Sequence, residues 1–363
     1  MPAPPKSQAA TSNASPPPMW KVHGALILTQ CIFGGGAIVG KFGISNFNPV
    51  LFALIRECSA GPILLAIAYI TQRNSFFIKK KDILTFGVAG FCLFSNQLGF
   101  ITGVKLASAV IGSAWQPSQP LFLASISVLL GWERATVLKI GGILLAFVGA
   151  AFMVVTSRTE FGVIDIGLGD QTLSGNCLFF FNCLGTALFV IFARKLLESY
   201  PSAVVTGWAY MFACVQMVVA ATFINQVPGG LEFVCPPEDD DAADASPSCK
   251  AWEVPTNLST ILPLAYWILF NSVAAYLLMT WGNQYAPPSA VLGYTALQPL
   301  TSSLLTVVII SFGYSDLDSP GYNLIGGVFI LIGLAMLIQD NKTAERIEKE
   351  EATKLNESLL DKA

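Results

Sequence analysis

Charge is what this sequence has least of. Asp, Glu, Lys and Arg make up 12% of its 363 residues, where soluble proteins carry about 25%. Histidine is nearly absent: His23 is the only one, which excludes a His-box metal centre and leaves a zinc site without its usual ligands. A net charge of −3 with no basic stripe gives nucleic acid nothing to bind. No nucleophile elbow, phosphate loop or metal motif is present. The chain therefore does not read as an enzyme, and it implies no cofactor and no metal. The first residues, MPAPPKSQAATSNASPPP, lack both the apolar core of a signal peptide and the Arg-rich pattern of a transit peptide. They read as a polar, Pro-rich tail.

Apolar residues fill the gap, at 53% of the chain. They come in long runs, with the charges collected in short clusters between them. A bilayer core takes about 20 apolar residues per helix, and a backbone without water must satisfy its own hydrogen bonds, so the runs are expected to be helices. The reading is an all-α polytopic membrane protein of ten transmembrane helices, at 22–44, 49–71, 83–103, 107–131, 136–156, 174–196, 202–224, 260–282, 287–312 and 322–339. Residues 1–21 form an N-terminal tail, 22–156 a first five-helix unit, 157–173 a connecting loop, 174–339 a second five-helix unit, and 340–363 a charged, solvated C-terminal tail.

Basic residues orient the chain. With both termini cytoplasmic, 15 Lys and Arg fall on that side, Lys79-Lys80-Lys81 among them, 4 fall on the other, and Arg56 lies inside a span. The acidic loop 225–259 then faces the exterior or a lumen. Cys235 and Cys249 flank its acidic stretch. A disulfide between them and a pair of free thiols both remain open. The membrane is the plasma membrane or an endomembrane, and the protein is a monomer or a homodimer.

The two units repeat each other. Ser118-Gln119-Pro120-Leu121 in the fourth span matches Leu297-Gln298-Pro299-Leu300 in the ninth at an offset of 179, which also pairs Trp115 with Tyr294. Gly141-Gly142-Ile143 matches Gly326-Gly327-Val328 at 185, and Asn48-Pro49 matches Tyr200-Pro201 at 152. Five spans is an odd number, so the second unit is inverted relative to the first. This is the plan of secondary transporters, with a site near the midplane between the halves.

These residues resemble a known family. Lys41, Arg56, Asn96-Gln97-Leu98, the Ala-Ser-Ala and Gln-Pro-Leu elements of the fourth span, Glu133 at its end and the following Gly pair are similar to the drug/metabolite transporter superfamily with two EamA-type repeats. Within it they are similar to the plant nodulin-like, walls-are-thin transporters. The resemblance covers about residues 22–340. It implies ten spans, cytoplasmic termini and a central cavity lined mainly by spans other than the fifth and tenth. The second half departs from the pattern: no glutamate closes its ninth span, and Asp316 and Asp318 lie in a longer loop.

Charged and amide side chains within spans are costly in lipid and mark cavities or partner contacts. Arg56 could bind a carboxylate and Glu57 could take a proton, or the two could tie the second span to neighbouring cations. Trp115 with Gln119, and Tyr294 with Gln298, sit four residues apart and are expected to share a face. Together with Arg56, Asn96 and Gln97 they form the candidate substrate site, with interhelical hydrogen bonding as the alternative role. Trp, Tyr, Asn and Gln suit an amino acid, a purine or an aromatic acid, carried by alternating access. A phosphate-sugar or nucleotide-sugar exchanger would want several cations inside the spans, and spans seven to ten have none. A non-transporting receptor or scaffold remains the reading from another class.

Overall fold

The computed structural model describes residues 17–44, 47–107, 112–113, 115–130, 136–156, 170–236, 247–312 and parts of 325–350. Among them all regular structure is helical. The helices are α1 (Met19–Ile44), α2 (Pro49–Thr71), α3 (Ile83–Leu106), α4 (Gln119–Leu129), α5 (Val137–Thr156), α6 (Asp170–Leu197), α7 (Ser202–Gln226), the short α8 (Gly230–Val234), α9 (Leu258–Tyr266), α10 (Ala275–Tyr285), α11 (Pro288–Gly293) and α12 (Leu297–Ser311). A π-helical stretch, Trp267–Ala274, joins α9 to α10. Tight 3-10 turns, Gln116–Ser118 and Tyr294–Ala296, lead into α4 and α12.

Among the described residues seven segments are long and apolar enough to cross a membrane: Met19–Gly40, Pro49–Thr71, Lys80–Leu106, Ser174–Leu197, Ser202–Gln226, Leu258–Tyr285 and Pro288–Ser311. Val137–Gly149 and Leu331–Asp340 are shorter apolar helices. The run expected over 107–131 is described only in pieces. Glu133, Asp316, Asp318, Gly326, Gly327 and most of the acidic stretch between the two cysteines lie outside the described residues.

Local chemistry sets the boundaries. The Asn48 carboxamide oxygen accepts the backbone N–H groups of Val50 (2.9 Å) and Leu51 (3.3 Å). Pro49, whose missing N–H costs nothing in a first turn, opens α2 behind this cap. Pro201 and Pro287 cap α7 and α11 in extended conformation, the backbone geometry of a residue at the N-cap.

Helix ends gather into two groups. At one end, Tyr200, between α6 and α7, donates its phenol to Asp82 (2.7 Å) and accepts the Lys79 N–H (2.9 Å); burial pushes that phenol above its ordinary range. There the Trp208 indole N–H reaches the Phe76 carbonyl (2.9 Å), and Arg194 at the end of α6 donates to the carbonyls of Asn283 and Ala286. At the opposite end the Asn48 amide bonds Asn225 (2.9 Å) and the Ala251 carbonyl (3.2 Å), joining the start of α2 to the end of α7. Cys235 and Cys249 are joined there in a disulfide and packed on Val50 and Ala221. Arg73, Lys79, Lys80, Lys81, Arg194 and Lys195 all belong to the first end.

Within the bundle, α3 packs on α6, α2 on α7, α4 on α6, and α1 on α9, α10 and α12. Phe86, Leu93, Val190, Val204 and Tyr210 are part of the core between them. Phe91, Phe181, Val219, Phe223 and Leu304 are exposed, giving an apolar outer surface suited to lipid. Helix α5 meets Leu331–Asp340, where a side chain at Gly333 would strike the Gly142 carbonyl. Asp340 departs from the solvated tail the sequence suggests. It is buried, bonded to the Thr136 hydroxyl and paired with Lys139 at 3.7 Å, because those partners replace the water a carboxylate otherwise needs.

Candidate functional site

Prolines in the stretches that open α4 and α12 shape the walls of a central cavity. Pro120 has no N–H to close the α-helical bond to the Gln116 carbonyl. The chain tightens instead into the 3-10 turn, in which the Gln119 N–H takes that carbonyl. The same turn occurs at Tyr294–Ala296, just ahead of Pro299. In a 3-10 turn residues three apart eclipse. Gln116 with Gln119, and Thr295 with Gln298, therefore share a face, rather than the residues four apart that α-helical geometry predicts.

That face closes a cavity of about 60 Å³. It is lined by Gln30 and Phe33 of α1, Arg56 of α2, Asn96, Gln97 and Phe100 of α3, Asn182 and Thr186 of α6, Trp267 and Asn271 of the π-helical stretch, Tyr276 and Met279 of α10, Gln116 and Thr295 of the two turns, and Gln119 and Gln298 at the starts of α4 and α12. The turns also touch. The Thr295 hydroxyl, whose main bond is to the Leu292 carbonyl, reaches the Gln116 carbonyl at 3.3 Å. Gln116 and Thr295 are themselves equivalent at the repeat offset of 179.

The sequence-derived candidates divide. Arg56, Asn96, Gln97, Gln119 and Gln298 line the cavity. Trp115 and Tyr294 do not. The Trp115 indole N–H donates to Asn176 Oδ1 at 2.8 Å, and the Tyr294 phenol meets His23 Nδ1 at 2.7 Å. Glu57 is fully buried beside Arg56 but off the cavity wall.

The wall residues also differ in how well they are satisfied. Asn96 bonds Thr186 and the Asn182 carbonyl and accepts the Tyr276 phenol at 2.8 Å. Asn182 donates to the Asn96 carbonyl (2.8 Å) and accepts the Gln116 amide (3.1 Å). Gln119 donates to Gln116, and Gln298 donates to Gln30 Oε1 at 2.7 Å. Gln97 has no hydrogen-bond partner on either amide atom among the described residues, and Asn271 Oδ1 and Arg56 Nε also have none. Buried polar atoms are rarely left so. Unpaired donors and acceptors on one wall are what a polar solute would satisfy.

Arg56 is held on two sides. Nη2 donates to Glu57 Oε1 at 3.1 Å, and the guanidinium lies 5.0 Å from the Trp267 ring centroid, within cation–π range. Three glycines let α1 approach. Side chains at Gly34, Gly35 and Gly36 would strike the Gln298 carbonyl, the Tyr266 hydroxyl and the Asn271 amide respectively. Sequence reasoning missed Gln30, Gln116 and Thr295. The repeat carried a signal for them: the offset of 179 pairs Gln116 with Thr295, and the offset of 152 pairs Gln30 with Asn182.

Comparison with known proteins follows this geometry. Residues 20–155 match the EamA-like transporter family. The chain is 24% identical to an uncharacterized transporter, YetK, of Bacillus subtilis, over 85% of this chain and 86% of that one. It is 22% identical to a WAT1-related protein of Arabidopsis thaliana, over 85% and 83%. A crystal structure at 15% identity superposes with a TM-score of 0.62 over 90% of this chain and 98% of the other, a likeness of fold. The sequence thus carries an EamA-like transporter segment in its first half, and over most of its length it is similar to proteins named as transporters.

Proposed function

We propose that the chain is a transporter of small organic metabolites, working by alternating access between two inverted five-helix halves of ten spans in all, 22–156 and 174–339. The observation that carries this reading is the cavity wall. Repeat-equivalent residues from the two halves, Gln116 with Thr295 and Gln119 with Gln298, converge on one polar space. The pairing of helices is consistent with inversion, since α3 on α6 is matched by α9 and α10 on α1, and α4 on α6 by α12 on α1. The relatives named as transporters support the same class. Basic residues at one end favour a cytoplasmic face there.

Arg56, Gln97, Gln119 and Gln298 contact the solute in this reading, with Asn96 fixing the wall. Trp267, Phe33 and Phe100 suit an apolar or aromatic body. The substrate is an amino acid, purine or aromatic-acid-like molecule. A water needs about 10–15 Å³ of such space, so the cavity holds a few waters and helices must part to admit a metabolite. Purified protein in proteoliposomes, assayed for flux against a panel of these solutes, tests the proposal. Saturable flux that Gln97→Ala weakens, with folded protein unchanged, is expected. No flux of any solute through correctly inserted protein sinks it.

A further inference from the structure

Arg56 and Glu57 form a pair that the cavity reaches from one side only. Arg56 lines the wall, while Glu57 is 0% exposed and lies behind it. A single 3.1 Å contact, Nη2 to Oε1, joins them. Arg56 Nε and Glu57 Oε2 have no hydrogen-bond partner among the described residues. The guanidinium therefore keeps an unused N–H edge, and edge-on pairing with a carboxylate is what its planar fork favours.

Charge accounting decides what happens when an anion arrives. The pair is neutral as it stands. A solute carboxylate that takes Arg56 leaves Glu57 as a buried carboxylate without its cation, a state costing several kcal/mol. Among the described residues no other cation lines the cavity. The titratable groups around the pair are Tyr210 and Cys214 on α7, Tyr276 on α10 and Cys58 on α2 itself. Helix α3, which also packs on α2, carries Cys92 and Lys105. Because Glu57 is off the cavity wall, a solute ammonium has no direct contact with it, and a proton is the cation small enough to replace Arg56.

Resting on the reading of this cavity as a solute site, the geometry points to a monocarboxylate substrate class whose binding is coupled to a proton. The solute anion pairs with the unused edge of Arg56 and draws its charge away from Glu57, and Glu57 takes one proton from solvent. One anion and one proton enter, no bond other than the new O–H forms, and the site stays neutral. Arg56 is the specificity residue and Glu57 the proton site, so the loaded carrier moves the equivalent of the neutral acid. Its flux answers to a pH gradient and not to membrane voltage.

The test is a binding measurement on purified full-length protein. Calorimetric titration with a series of monocarboxylates from acetate to benzoate and phenyllactate, in buffers of different ionisation enthalpy, counts protons. The expected result is one proton taken up per anion bound, with affinity falling as pH rises by up to about tenfold per unit. Benzamide, the neutral analogue of benzoate, binds with no proton uptake. Glu57→Gln retains carboxylate binding but takes up no proton and loses the pH dependence. The double variant Arg56→Gln/Glu57→Gln leaves neither charge unpaired and loses carboxylate binding at least tenfold while keeping its thermal melting point. Carboxylate binding without proton uptake overturns the coupling. Saturable binding and flux of neutral solutes with none of any carboxylate overturns the substrate class and leaves the transporter reading standing. Carboxylates that bind with the expected proton, in a protein that moves no solute, uphold the coupling and overturn transport.

Discussion

The stretches Trp115–Leu129 and Tyr294–Ser311 start from one pattern and finish it differently. Each passes through a 3-10 turn ahead of a proline-bearing helix and delivers a glutamine, Gln119 or Gln298, to the cavity. In the first, Gln119 is tied to Gln116 on its own turn. In the second, the residue at that place is Thr295, too short for the job, and Gln298 crosses to Gln30 on α1. The flanking aromatics differ as well: Trp115 clasps Asn176 near the start of α6, and Tyr294 clasps His23 near the start of α1. The two stretches share the backbone device that aims the glutamine. The partner that holds the glutamine differs between them.

The comparison breaks most completely if the halves are not inverted. Cysteines placed at Asn74 and at Glu253, both exposed, should react with an impermeant maleimide from opposite sides of sealed vesicles, Asn74 from the cytoplasmic face. Reaction of both from one side would falsify the inversion.

The next effect is on folding. Gly34 admits the Gln298 carbonyl and Thr301, each 2.8 Å from where a Cβ would stand, whereas Gly24 has open space. Gly34→Leu should cost about 1–3 kcal/mol or more through overpacking and lower the melting temperature and monodisperse yield, with Gly24→Leu close to wild type. Equal behaviour of the two variants would mean that α1 does not depend on this close approach.

Smaller effects separate the two glutamines. Loss of an amide contact to bound solute is worth about 0.5–1.5 kcal/mol, so Gln119→Ala and Gln298→Ala should each weaken binding several-fold. Gln30→Ala should mimic Gln298→Ala in part, because it releases only the second glutamine. Cysteines at 119 and 298 should be protected from labelling by saturating solute; rates indifferent to solute would make both residues packing elements.

The smallest shifts come from the clasps. Trp115→Phe and Tyr294→Phe each remove one hydrogen bond of about 1 kcal/mol, from opposite ends of the bundle. They should shift the sidedness of labelling at a cavity cysteine about fivefold, in opposite directions. Shifts in the same direction would show that the two clasps do not favour opposite-facing states of the cavity.

Much of the site was legible in the sequence, for a physical reason. Arg56, Asn96, Gln97, Gln119 and Gln298 are polar where lipid tolerates polarity only against protein or water, so their presence in apolar runs already marks an interior face. Trp115 and Tyr294 were placed on that face by assuming 3.6 residues per turn. Pro120 and Pro299 invalidate that spacing, and the tighter turn carries the aromatics away from the cavity. Gln30 passed unnoticed because an isolated glutamine near Thr29 in α1 has no local pattern to distinguish it.

The sequence by itself determined that this chain is helical and membrane-embedded, with its charges gathered in short clusters between apolar runs. These follow from the cost of bare backbone and charge in hydrocarbon, a property of composition along the chain. Only the tertiary structure decided that Arg56 rests on Trp267 with Glu57 behind it, that Cys235 meets Cys249, that Asp340 is buried against Lys139, and that Gln97 faces the cavity unpaired. Those outcomes depend on which helix faces meet. Packing among uniformly apolar helices leaves little amphipathic signal from which those faces could be read in advance.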